Sequence, residues 1–290
     1  MYICNQCPRK CSVDRSEAAG ICGVGQNYKV ARAALHYWEE PCISGKKGSG
    51  TVFFSGCPLK CVYCQNSSIS DGCFGKEISE KRLIEIFKEL EAQGANNINL
   101  VSPTHYAEQL SDTLSKYKPS IPVVYNTGGY DSVDTLKKLE GLVDVFLTDI
   151  KYVSPTVSKK YSRAENYFEV ASKAVLEMRR QQPEDIFEEG ILKKGLIIRH
   201  LVLPGNISQG IKALEWINGN LSSNTIISLM GQYMPCARAS EYPTINRKIN
   251  HREYETVLSK AQMLGFENVY IQELDSSSEE FIPDFDLQGV

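Results

Sequence analysis

The chain has 290 residues, 42% of them hydrophobic and 23% charged, enough for one large α/β domain or two small ones around a substantial core. Its formal net charge of −3 offers no global attraction to nucleic acid. No apolar run approaches the roughly 18 residues of a membrane span, and the residues after Met1 (Tyr-Ile-Cys-Asn-Gln) lack the basic and apolar parts of an export signal. A cytoplasmic protein with no membrane partner and no clear nucleic-acid partner is expected.

Residues 1–50 are rich in turn formers, show little periodic hydrophobicity and carry Cys4, Cys7, Cys11, Cys22 and Cys42. They read as a Cys-rich, metal-binding extension. From Thr51 the pattern changes. Thr51–Phe54 is β-branched and aromatic, and Glu80–Gln93 has helical spacing through Leu83, Ile84, Phe87 and Leu90, closed by Gly94. Ile98–Val101 and Val123–Tyr125 read as short strands around a helix from His105 to Lys116. A helix over Asp131–Leu139, a strand over Val143–Leu147 and a long helix over Glu165–Gln182 follow, and Gln181–Lys194 reads as a polar insertion. Leu196–Leu203, Thr225–Leu229 and Val269–Ile271 are predicted strands, with helices over Ile211–Ile217 and His251–Leu264.

Strands alternating with helices of this length imply βαβ units and a parallel sheet, which right-handed crossovers wind towards a barrel or partial barrel. The expected division is a metal-binding extension over 1–50, an α/β barrel over 51–275 and an acidic, Ser-rich tail over 276–290. Chemistry in such folds sits where strands end and loops begin.

Ten cysteines are the unusual feature. In a long chain without an export signal, clustered cysteines point to metal binding or catalysis rather than to disulfides. Cys57-Pro-Leu-Lys-Cys61-Val-Tyr-Cys64 directly follows the first predicted strand. Three thiolates so close together can wrap one corner of a [4Fe–4S] cubane and leave one iron open; a zinc site would normally want a fourth ligand. An open iron can chelate the amino and carboxylate groups of S-adenosylmethionine (SAM), whose reductive cleavage yields a hydrogen-abstracting 5′-deoxyadenosyl radical. Tyr63, between the last two cysteines, suits either contact with adenine or simple packing. Cys4-x2-Cys7-x3-Cys11-x10-Cys22 is a complete four-thiolate set, suited to an auxiliary [4Fe–4S] cluster or to zinc, with the tight spacing of the first three leaning towards the cluster. Cys42, Cys73 and Cys236 stand apart and read as unligated thiols.

The run Cys57-x3-Cys61-x2-Cys64-Gln65-Asn66 resembles the signature of the radical SAM superfamily, in particular its pyruvate formate-lyase-activating-enzyme-like (PflX-like) branch. The likeness continues through Glu39-Glu40-Pro41, Gly48-Ser49-Gly50-Thr51, Asn99–His105, Asp149-Ile150-Lys151 and Arg199–Gly205, and so covers most of the chain. The resemblance implies a partial (β/α)6 barrel, a flavodoxin or ferredoxin as electron donor, and SAM contacts at strand ends. Ser102-Pro103-Thr104 stands where activating enzymes place a Gly-Gly-Glu-Pro motif. Asn126-Thr127, with the glycines after them, occupy a turn near SAM or simply a tight turn. Asp149 and Lys151 match a strand-end pair whose lysine approaches SAM. Arg199 would meet the SAM carboxylate or a neighbouring glutamate, and Gln232 the ribose. His105 is expected near the site without a role. The hydrogen donor implied is a glycine of a glycyl radical enzyme or another macromolecular substrate; a small molecule, RNA or peptide is the alternative. A noncatalytic, metal-stabilised binding module is the reading from another class.

Overall fold

A computed structural model describes residues 3–272 and 283–290. Strands β1 (Tyr28–His36) and β2 (Ser49–Phe54) flank a short helix α1 (Pro41–Ser44), and the turn helix α2 (Ser67–Ser70) leads to β3 (Lys76–Ile78). Six strand–helix units then follow from β2 onward. The helix after β2 is α3 (Glu80–Ala92), and the next units are β4 (Ile98–Val101) with α4 (Ala107–Lys116) and β5 (Val123–Thr127) with α5 (Val133–Lys137). The strand β6 (Val145–Asp149) carries two helices, α6 (Pro155–Ser162) and α7 (Tyr167–Gln181). After the short β7 (Ile186–Glu188) come β8 (Ile191–Leu201) with α8 (Ile207–Asn220), β9 (Ile226–Met230) with α9 (His251–Met263), and a last strand β10 (Val269–Ile271).

The sheet order is β10-β9-β8-β6-β5-β4-β2-β1-β3. Every pair from β2 to β10 is parallel, while β1 runs antiparallel to β2 and β3. The sheet is open, a partial barrel, as the alternating pattern predicts. One register row, Val52–Leu100–Tyr125–Phe146–Leu196, faces the outer helices and packs against residues such as Leu83, Leu110 and Met178. The opposite row faces inward, because neighbouring side chains of a strand point to opposite faces. Inside, Cys42 and Ile43 of α1 plug the barrel against Val124, Val145, Leu147 and Ile197. Cys42 is accordingly a buried thiol, and burial pushes it up to about 11. No described helix is long and apolar enough to cross a membrane.

Helix boundaries follow their caps. Ser79 accepts the backbone N–H of Arg82 at the start of α3, and Asn250 with Glu253 forms a capping box on α9. Besides the short α1, α2 and β3, which the sequence reading does not predict, the structure differs from it in four places. The predicted Asp131–Leu139 helix shrinks to α5, and α6 stands where no helix was predicted. The polar insertion is a β7–β8 hairpin turning at Gly190, its β7 residues exposed, so no alternation marks it. Finally, β1 forms within the Cys-rich extension. Its alanines carry little strand propensity, but it has the free edge of β2 to pair with.

The extension is sewn onto the barrel by polar side chains. Gln6 donates to the His105 carbonyl and accepts from the Glu108 amide. Arg9 donates to the carbonyls of Pro58, Ser162 and Arg163. Arg15, 2% exposed, donates to the carbonyls of His105 and Gly25 and lies over the Tyr106 ring. Residues 276–282 of the predicted tail lie outside the described residues. Pro283–Val290 runs back along β1, with Ala33 N–H donating to Gln288 and Leu287 N–H to Ala31, and Phe285 against Phe53.

Truncating Arg15 leaves one buried and one half-buried carbonyl without their charged donor. Arg15→Ala is expected to lower unfolding stability by about 2–4 kcal/mol, read as a fall in the urea midpoint; an unchanged midpoint would mean that the extension is not part of the cooperative unit.

Candidate cluster and SAM site

The cysteine triplet occupies the loop after β2. Gly56 makes the turn at φ 85°, where a Cβ would come within 2.8 Å of the Cys22 carbonyl. That closeness lets the Cys57 N–H donate to the same carbonyl at 3.1 Å, so the two cysteine clusters touch through backbone. Cys64 N–H donates to Cys61 O at 3.1 Å and closes the loop. Around the sulfurs, Leu59 N–H points at Cys57 Sγ (3.4 Å), Ser70 Oγ donates to Cys64 Sγ (3.3 Å), and Ser162 Oγ lies 2.9 Å from Cys61 Sγ. Ser162 also bonds Tyr152, whose hydroxyl bonds that of Tyr63.

Burial pushes the Cys57 thiol up to about 11 and the Cys64 thiol up to about 12, with Cys61 adding to both. Such thiols stay protonated unless a cation compensates them, and coordination to iron supplies that compensation. A half-buried thiol trio with N–H and O–H donors aimed at sulfur fits a cubane corner, whose potential such donors tune. Among the described residues no three His, Cys, Asp or Glu side chains are gathered as a single-ion site. A cubane does not require this, since each thiolate bonds a separate iron.

The N-terminal four share one neighbourhood without closing into a single-ion site. Cys4, Cys7 and Cys22 are buried and Cys11 is half-buried. A Cβ on Gly20 would stand 3.5 Å from Cys11 Sγ and 3.6 Å from Cys22 Sγ. Burial pushes Cys7 up to about 12, with Cys4, Cys11 and Cys22 all near enough to contribute. Cys73 and Cys236 face backbone carbonyls, those of Cys22 and Tyr63.

A cleft of about 240 Å³ opens above the triplet, lined by Cys61, Tyr63, Cys64, Asp149, Lys151, Arg199 and Gln232 among others. It runs into a second cleft of about 170 Å³ through the shared residues Gln65, Asn66, Arg199, Met230 and Gln232. This second part adds Glu39, Glu40 and Asn126. Five of the predicted SAM-pocket residues therefore face one opening with two of the triplet cysteines, and Asn126 joins them next door. Tyr63 lines the cleft while its ring packs edge-on against Tyr152, Tyr161 and Tyr233.

Ser102, Pro103, Thr104 and Thr127 do not line either cleft. Ser102 takes a left-handed φ of 57°, its N–H donating to Asn126 O. Thr104 and Thr127 hydroxyls bond each other at 3.0 Å, and Thr127 donates to Asp131, which also accepts from Tyr125. His105 is fully enclosed: its Nε2 donates to Ser55 O, and burial lowers its pKa to about 3. It braces the strand end that precedes the triplet.

Arg199, at 16% side-chain exposure, organises the cleft wall. Its Nε donates to Asp149 (2.9 Å), its terminal nitrogens to Asn126 (2.7 Å) and, more distantly, Glu39 (3.5 Å). Lys151 pairs with the other Asp149 oxygen. Burial would raise Asp149, but Arg199 and Lys151 outweigh it and hold the carboxyl below the usual range. Burial likewise raises Glu39 and Glu40, with Arg199 pulling the other way without cancelling it. Both acids stood in the Glu39-Glu40-Pro41 motif without a role; adjacent carboxylates just ahead of an apolar Cys-Ile pair were the available signal.

A family model of the radical SAM superfamily matches residues 51–205. The uncharacterized protein MJ0674 of Methanocaldococcus jannaschii is 32% identical over 277 residues, covering 92% of this chain and 76% of that one. SuiB of Streptococcus suis bound to the precursor peptide SuiA matches 79% of this chain and 49% of its own, with TM-score 0.52 and 14% identity. SuiB bound to SAM matches 77% and 50%, with TM-score 0.52 and 12% identity. The chain thus spans about half the length of the SuiB chains, and that likeness concerns the fold. The chain belongs to the radical SAM superfamily, and with that membership go a [4Fe–4S] cluster and SAM.

A carboxyl with a raised folded-state pKa contributes stability that is full below its unfolded value, about 4.3, and is lost as pH climbs through the folded value. Asp149, held low, has its contribution in place above about 3.9 and does not blur that window. Buried neutral His105 pulls overall stability the other way, upward until about pH 6.5, so the expectation concerns Glu40 alone: as pH rises past about 4.3 the protein should lose stability relative to Glu40→Gln in urea titrations across pH. Identical slopes would remove Glu40 as a source.

Proposed function

We propose that this protein cleaves SAM reductively at a [4Fe–4S] cluster held by Cys57, Cys61 and Cys64 and uses the product to abstract hydrogen from a substrate. The observation carrying this reading is the sharing of one cleft by Cys61, Cys64, Asp149, Lys151, Arg199 and Gln232. When bound, the cluster and SAM supply a 5′-deoxyadenosyl radical. The chain's own residues bind and orient. Arg199 and Lys151 present cationic groups to a carboxylate, and Tyr63 offers a ring face or edge to adenine. Gln232 offers an amide to the ribose, and the buried strand ends keep water from the reacting atoms. Ser162 and Tyr152 fix Cys61 and Tyr63 relative to each other.

On this reading Cys4, Cys7, Cys11 and Cys22 hold an auxiliary [4Fe–4S] cluster, and the Cys22 O to Cys57 N–H bond gives electrons a direct hydrogen-bonded route between the two sites. A flavodoxin or ferredoxin would supply them. A glycine on a partner enzyme is one hydrogen donor. The hydroxyls of the Ser102-Pro103-Thr104 segment give that target little support, since Thr104 is committed to Thr127. The precursor peptide held by SuiB keeps a peptide among the candidates.

Anaerobic reconstitution with SAM and dithionite tests the reading: 5′-deoxyadenosine should form, and Cys61→Ala should abolish it. Retained cleavage in that variant would refute the triplet as the cluster site, and a protein that takes up zinc alone would favour a binding module. Cys7→Ala should lower iron per chain while sparing the triplet cluster; unchanged iron with lost zinc would reassign the N-terminal site to zinc.

A further inference from the structure

The part of the cleft lined by Glu39 and Glu40 has no task in handling SAM as described above. Its polar atoms are unusual. Glu40 is 7% exposed, lines the cleft, and its Oε2 has no hydrogen-bond partner. Asn99 on β4 and Ser228 on β9 are 0% and 1% exposed and make no hydrogen bond of good geometry, only looser donating contacts, Asn99 to Glu39 and Ser228 to Glu40. Each lies two residues before a cleft-lining residue of its own strand, Val101 and Met230. With the period of two along a strand, both side chains point into the barrel one layer beneath the opening. Ser228 stands close enough to favour the charged form of Glu40, and Asn99 does the same for Glu39.

A buried polar atom without a partner is costly, so Glu40 Oε2, on the cleft wall, points to a ligand that completes it. Charge indicates its sign. Glu39, Glu40 and Asp149 face the joined clefts against Arg199 and Lys151, and Arg199 already serves Asp149, Asn126 and Glu39. Glu40 is the carboxyl left without a hydrogen-bonded cation among the described residues. Glu40 Oε2 is an acceptor on the cleft wall with Ser228 beside it, and a primary ammonium brings donors and no acceptor.

We propose that Glu40, with Asn99 and Ser228 beneath it, anchors a primary ammonium group of the hydrogen-donating substrate, which makes that substrate an amine-bearing molecule. The inference rests on the cleft being the reaction chamber proposed above. The ammonium docks in the part of the cleft next to the triplet rather than over it, so the rest of the molecule extends past Arg199 and Gln232 towards the cysteines.

The test is calorimetry on the cluster-reconstituted protein with n-butylammonium as probe and n-butanol and butyrate as size-matched controls. Only the ammonium should bind. Glu40→Gln, checked for folding by circular dichroism, should weaken it about tenfold or more, and Ser228→Ala should weaken it less. Saturating SAM should leave the ammonium affinity intact. Competition between the two would assign the carboxyl to the cofactor's own amino group and overturn the proposal, as would equal binding of butanol or an unaltered affinity in Glu40→Gln. The amine titration is also run without SAM, so a failure of SAM binding or cleavage would sink the proposed reaction without deciding the amine site.

Discussion

A guanidinium buried at the end of β8 sets the terms for the mouth of this barrel. Burial works against the charge of Arg199, yet Asp149, Glu40 and Glu39 outweigh it and hold the group charged. An unpaired buried cation would be very costly, so strand ends from across the sheet must bring oxygen to it. Asp149 comes from β6, Asn126 from β5, and Glu39 from the turn before α1. These segments lie far apart in sequence and are neighbours only because β5, β6 and β8 pair in parallel register. The ion network and the sheet therefore require each other, and the cleft inherits its shape from both.

Much of this was legible in the residues. The triplet after a β-branched strand, the strand-end Asp149 and Lys151, and an arginine inside an apolar strand each announce an unusual requirement that a core alone does not explain. What escaped was decided by tertiary context. Thr104 and Thr127 look like free hydroxyls at strand ends, but a neighbouring buried aspartate, Asp131, claims them. Glu40 becomes informative only when its unpartnered oxygen is seen, which no spacing reveals. The strand β1 escaped because alanine-rich segments adopt extended structure when an edge is offered, not by preference.

The Cys-rich segment is less an appendage than a wall of the site. Gln6, Arg9 and Arg15 spend their donors on backbone carbonyls of the barrel loops, including Pro58 within the triplet loop itself. Arg9 also lies over Tyr130, which packs against Tyr167. A shift of the backbone at Cys22 would be felt one hydrogen bond away, at Cys57.

The returning segment Pro283–Val290 has a consequence for how copies of this protein behave towards one another. An edge strand with unpaired amides and carbonyls is a template for another chain. Here β1 is paired with β2 on one side, and β3 and the returning segment occupy the other, taking Ala31 O and Ala33 N–H. With Phe285 set against Phe53 and Arg32 paired to Asp286, the segment is fixed in register by contacts of two kinds. It works as a selvedge, finishing the woven edge so that the sheet does not continue into a neighbour.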